Sequence, residues 1–170
     1  MQSSQTKKLF STSSTDLLWT TGLTMAVVIA PALLAHTPQN QWITGTIVNA
    51  IFFISAWKLG IVNALLIAII PSSIALTRGL LLPPQVIIIP YIIISNAILI
   101  SVFATFKKQL LTGVLLASFL KFAFIAGIVS LLFVGKLPTI VIQMMQWPQL
   151  ITAVAGGFIA IIFIKQFSKS

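Results

Sequence analysis

The stretch Leu110–Val134, LLTGVLLASFLKFAFIAGIVSLLFV, decides how the chain is read. Its twenty-five residues exceed the roughly twenty needed to cross a hydrocarbon core about 30 Å thick. Near its centre stands one charge, Lys121. A charge at that depth costs about 2.5–3.5 kcal/mol on insertion scales, so it belongs inside a helix bundle beside a polar partner. Gly113, Ala117 and Lys121 recur at steps of four, which puts small residues on the lysine's side and lets a neighbouring helix come close.

The rest of the chain reads as the bundle this helix requires. Hydrophobic residues make up 58% of 170 positions and charged residues 6%, with a mean hydropathy of +1.11. Soluble domains carry about 25% charged residues, so the composition is that of an all-α, polytopic membrane protein. A chain of 170 residues holds about six spans as a single membrane domain, 1–170, with no separate soluble part. The absence of cysteine excludes disulfides, thiolate metal sites and iron–sulfur clusters. One acid, Asp16, and one histidine, His36, leave little for acid–base or metal chemistry, so no catalytic residue, metal or cofactor is expected. The net charge of +9 comes from cations scattered singly between apolar runs, a pattern that orients a membrane protein rather than binding nucleic acid.

Residues 1–15 form a polar tail, and apolar runs with their breakers predict helices at about 17–35, 42–57, 59–76, 86–106, 110–134 and 148–164. Thr15 or Asp16 is placed to cap the first helix, the acid at the positive end of its dipole. Residues 42–76 as one helix would measure about 52 Å, too long for a bilayer, so a tight hairpin is expected at Lys58–Gly60. The sequence IVIQMM, 140–145, reads as a short interfacial helix inside the longest connection.

Six spans put both termini on one side. With the termini inside, Lys7, Lys8, Lys58, Lys107, Lys108, Lys165 and Lys169 face the cytoplasm, and Arg78 and Lys136 face out. Seven against two predicts cytoplasmic termini in the cell's inner membrane. Six of the eight prolines (Pro38, Pro83, Pro84, Pro90, Pro138, Pro148) then fall in or beside the outer connections. Proline stiffens loops and interrupts helices, so the outer half is expected to be a cup with stiff lids.

Within the spans the costly polar groups are Asn49, Asn63, Asn96 and Lys121. The asparagines fit either interhelical hydrogen bonding or a ligand role. Lys121 has the same two readings: structural pairing with asparagine or backbone oxygens, or contact with a ligand. Side chains lean toward a helix's N-terminus, which tilts this ammonium inward, away from the cup. At the outer boundary Tyr91, Gln143, Gln146, Trp147 and Gln149 supply amides and aromatic rings, as an interfacial belt or a ligand-contacting lid. Ala153, Gly156, Gly157 and Ala160 are packing positions.

Six short spans, long outer loops and small size resemble the substrate-binding (S) component of energy-coupling factor (ECF) vitamin transporters. Ala26 and Ala30, in MAVVIA, match the small-residue AxxxA surface by which that family's first helix docks on a coupling subunit. The segments ITGTIVNA, SNAILI and WPQLITAVAGG are similar to a group of small S-component-like proteins. Some of these carry the label "iron hydrogenase", which a chain without cysteine does not fit. The resemblance implies high-affinity capture of a vitamin-like molecule, and the polar and aromatic residues read above, Asn49, Tyr91, Asn96, Lys121, Gln143, Gln146, Trp147 and Gln149, are the candidates to bind it. The implied partners are a transmembrane coupling subunit and two ABC-type ATPases, consistent with a chain that has no phosphate-binding glycine loop of its own. The alternative is a non-catalytic structural or assembly subunit of a membrane complex, which predicts an outer half filled by side chains. A membrane enzyme is disfavoured, because Asp16 and His36 fall on opposite sides of the bilayer.

Overall fold

The computed structural model describes residues 14–34, 40–77 and 86–168, all helical or in short turns, with no strand among them. Six long helices alternate in direction: α1 Ser14–Leu34, α2 Asn40–Lys58, α3 Gly60–Thr77, α4 Ile89–Thr105, α5 Leu110–Leu132 and α7 Trp147–Phe167. A six-residue helix, α6 Thr139–Met144, lies between α5 and α7. The long helices begin and end within three residues of the positions read from the apolar runs. Ser14 is already helical, which places Thr15 and Asp16 in the first turn rather than before it.

Local chemistry sets the ends. The link from α2 to α3 is Leu59, followed by Gly60 at φ 80°, a left-handed backbone that glycine adopts without a Cβ penalty. Gly135, at φ 76°, does the same after α5. Pro90 and Pro148 sit in the first turns of α4 and α7, where a missing N–H costs no intrahelical bond.

Among the described residues, three segments are long and apolar enough to cross a membrane: α1, α5, and α6 with α7 taken together. The shorter apolar helices are α3, over Gly60–Ile74, and α4. The 19-residue α2 is outside both groups, diluted by Gln41, Thr44, Thr46 and Asn49. It is nevertheless the hub, packing on α1, α3, α4 and α7. Every residue from Asn49 to Ala56 is buried. Contacts α2·α7, α7·α5, α5·α4 and α4·α2 close a four-helix ring, and α1 and α3 flank α2 on its other side.

The ring closes tightly because α7 offers glycine where α2 and α5 press on it. A Cβ on Gly156 would lie 2.8 Å from Ala50 N and 2.9 Å from Asn49 Cβ, and one on Gly157 would collide with Val114. These positions, with Ala153 and Ala160, are the small-residue seam of the bundle.

The alternation gives the bundle two unlike ends. The basic end carries exposed Lys58, Lys107, Lys108 and Lys165. The proline end carries α6, Pro90, Pro138 and Pro148. The links 35–39 and 78–85, which hold Pro38, Pro83 and Pro84 of the expected lids, lie outside the described residues, as do Lys7, Lys8, His36, Arg78 and Lys169.

Two apolar clusters fill the bundle. One, centred on Phe52, Phe53, Leu99, Phe103 and Val114, holds the middle and the basic half. The other joins Ile88, Ile125, Val129, Phe133, Leu137 and Val141 near the proline end. Side chains of α4, α5 and α6 therefore occupy ground where the sequence suggested a cup.

Candidate functional site

Lys121 sits on the buried face of α5 with Gly113, Ala117, Ser118 and Ile125. Its Nζ donates to Asn49 Oδ1 on α2 at 2.7 Å and to Asn96 Oδ1 on α4 at 2.8 Å. All three residues are at most 6% exposed. An ammonium carries three donors, so two amide oxygens satisfy two of them. Charge-assisted bonds of this kind are roughly twice as strong as neutral ones, which offsets part of the cost of burying the cation.

The asparagines are themselves fixed. Asn49 Nδ2 donates to Gly45 O at 2.8 Å and reaches Thr152 Oγ1 on α7 at 3.5 Å. Thr152 Oγ1 donates to Pro148 O at 2.8 Å. A chain of polar contacts thus leads from the mid-bundle ammonium through α2 to the first turn of α7, beside Trp147.

At the proline end a second set of amides does different work. Gln41 Nε2, on α2, and Gln149 Nε2, on α7, both donate to Met144 O, at 3.0 and 3.3 Å. They fasten the C-terminal end of α6, whose carbonyls lack helical partners. Trp147 stacks on Phe122 of α5 with centroids 5.2 Å apart, and is 63% exposed. Tyr91 meets the edge of Phe133 at 5.6 Å and packs on the cluster there. Gln143 is exposed and Gln146 half-buried.

Comparison with protein-family models, curated proteins and solved structures finds no match. Of the eight ligand-facing residues read from the sequence, Asn49, Asn96 and Lys121 converge on one point. Tyr91, Gln143, Gln146, Trp147 and Gln149 belong to the proline end, and none of them hydrogen-bonds Lys121 among the described residues. Asn63 departs from its expected role. It is exposed and donates to Leu59 O of the same helical turn, because a side-chain amide on a helix can reach the carbonyl four residues back.

Sequence reading missed Gly45, Thr152 and Gln41. Thr152 had a legible cue, standing four residues before Gly156 on the packing face of α7. Among the described residues, the hydroxyl oxygens of Thr44, Ser55 and Ser118 are buried without a hydrogen-bond partner. Ser118 lies three residues before Lys121 on the same face of α5. Ala26 and Ala30 are half-buried on α1, Ala26 against the main apolar cluster. Only 6% of the α1 span is buried, against 33% for α5.

Proposed function

We propose that the protein captures a small, vitamin-like, neutral or anionic molecule from outside the cell as the S component of an ECF-type transporter. In this reading the six long helices all span the inner membrane and both termini are cytoplasmic, an orientation that the seven-to-two lysine and arginine count supports. The observation that carries the reading is the buried Lys121–Asn49–Asn96 node, a cation held by two amide oxygens among the described residues, with a polar chain leading to the first turn of α7 beside Trp147. A cationic ligand would meet no carboxylate there and would be expensive to desolvate. A ligand with a planar ring can stack on Trp147 or Tyr91. It enters by displacing α6 and its two amide ties at the proline end.

Docking on a coupling subunit, energised by two ABC-type ATPases, falls to α1. Its sparse burial and the small residues Ala26 and Ala30 support that assignment. The test is native mass spectrometry of the gently purified protein, with co-purification of partners. A bound small molecule and retained ATPases are expected, with both partners lost on Ala26→Leu or Ala30→Leu. Trp147→Ala should weaken ligand binding by about 1–3 kcal/mol. A Thr139→Cys variant should react with an impermeant thiol reagent in intact cells and a Ser168→Cys variant should not; the reverse pattern overturns the orientation.

One observation favours a second reading, a non-catalytic structural or assembly subunit. The cluster of Ile88, Ile125, Val129, Phe133, Leu137 and Val141 leaves the proline end packed rather than hollow. Retention of a larger membrane complex with no small molecule would decide for it.

A further inference from the structure

A groove of about 290 Å³ runs along α1 at the basic end, lined by Thr15, Leu18, Trp19, Gly22 and Leu23. The spacing of three, four, seven and eight residues places all five on one face of the helix. From Thr15 to Leu23 the groove extends about 12 Å along the axis. Gly22 is its floor, since a Cβ there would meet nothing within 4 Å. Leu18, 74% exposed, is its outer rim, and Trp19 is its wall. Small-molecule pockets measure about 300–1,000 Å³ and enclose their ligand. This groove is at the lower limit and opens along an apolar helix, a shape suited to a slender chain.

The wall of the groove also holds a cation. Lys58 Nζ lies 5.6 Å from the Trp19 ring centroid and 5.9 Å from that of Trp57. Trp19 cannot turn freely, because Phe163 and Phe167 meet it edge-on at 5.9 and 6.0 Å. Two indoles thus keep the ammonium of an exposed lysine at the top of an apolar groove. Lys58 is in the last turn of α2, where the helix dipole also favours a cation. Lys107, Lys108 and Lys165 share this end of the bundle, and Asp16 is the one acid in the chain.

The geometry points to a binding site for an anionic phospholipid, one acyl chain lying over Gly22 between Leu18 and Trp19 and the phosphate paired with Lys58. Apolar contact alone would take any lipid; the indole-held ammonium supplies the preference for a negative headgroup. A lysine near a membrane surface contributes about 1 kcal/mol toward anionic lipid, which is about fivefold in occupancy. The site does not depend on the transport reading, since it uses no residue of the Lys121 node.

The test is native mass spectrometry of the full chain released from vesicles of equal phosphatidylglycerol and phosphatidylcholine with identical acyl chains. The parent protein should retain phosphatidylglycerol about fivefold over phosphatidylcholine, and added inorganic phosphate should not displace it. Lys58→Gln should equalise the two lipids, and Gly22→Leu should remove the bound lipid by filling the floor. Both positions are on the surface, so unchanged thermal unfolding checks that the variants are folded. Equal retention by the parent, or a preference that survives both substitutions, overturns the site. Loss of a protein partner from Gly22→Leu with no lipid preference in the parent would assign the groove to a partner helix and overturn it as well.

Discussion

Two lysines in this chain solve the same problem in opposite surroundings. Lys121 is 4% exposed in the middle of the bundle, and Lys58 is exposed at its basic end. With a single carboxylate in 170 residues, neither has the usual choice of an acidic partner. The buried lysine is held by the oxygen ends of two amide dipoles, at 2.7 and 2.8 Å. The exposed lysine rests on the negative faces of two indoles. Directionality follows burial. Short, aimed hydrogen bonds are required where water is absent, whereas a diffuse ring quadrupole suffices where water completes the shell.

The largest expected effect tests the buried side. Asn49→Leu leaves the ammonium with one acceptor and should lower stability by about 1.5–3 kcal/mol, the scale of a hydrogen bond to a charged group. Thermal unfolding in detergent would measure it. Adding Lys121→Met to that variant should restore most of the loss, because an apolar side chain needs no acceptor. If the double variant is no more stable than Asn49→Leu alone, the amides are not there to hold the charge.

Next comes the packing that aims the asparagine. Gly156→Ala puts a methyl against Asn49 Cβ and Ala50 N and should cost about 1–3 kcal/mol as overpacking. A loss as large in the Lys121→Met background would separate helix spacing from the node; a smaller loss there would show that the two are coupled. The smallest effect belongs to the exposed side. Lys58→Gln should change stability by less than about 1 kcal/mol, since an exposed cation–π contact is worth about 0.5–1. A drop comparable to that of Asn49→Leu would erase the contrast between the two lysines.

The helices were legible because apolar runs and their breakers are local. Gly60 and the Lys58–Gly60 hairpin could be read from length alone, as 35 apolar-rich residues do not fit one crossing. Lys121 announced itself by cost. Helix rotation was not legible in the same way. In a membrane protein both the lipid face and the core face are apolar, so no strong stripe tells which side turns inward. Asn49 and Asn63 look alike in sequence, each in an IVNA segment. Only the packing of α2 as hub and α3 at the flank makes one a ligand of the ammonium and leaves the other exposed. The partners of Lys121 lie 72 and 25 residues away, beyond any local pattern. The filled proline end was hidden for a related reason, since Ile125, Val129 and Phe133 read equally well as lipid-facing.

Under the six-span arrangement proposed above, the turn at Gly60 has a consequence for how the chain enters a membrane. α2 is the hub of the finished bundle, yet its amides and hydroxyls make it less apolar than the helices long enough to cross unaided. Leaving an insertion channel alone, it would expose Asn49 to lipid before Lys121 has been synthesised. Leu59 and Gly60 join it directly to the apolar α3, so the two can leave the channel as one antiparallel hairpin, with α3 supplying the affinity for lipid that α2 lacks. Lengthening this turn should show itself first in biogenesis, as α2 retained on the wrong side of the bilayer in newly made chains, while molecules that do assemble keep their normal stability.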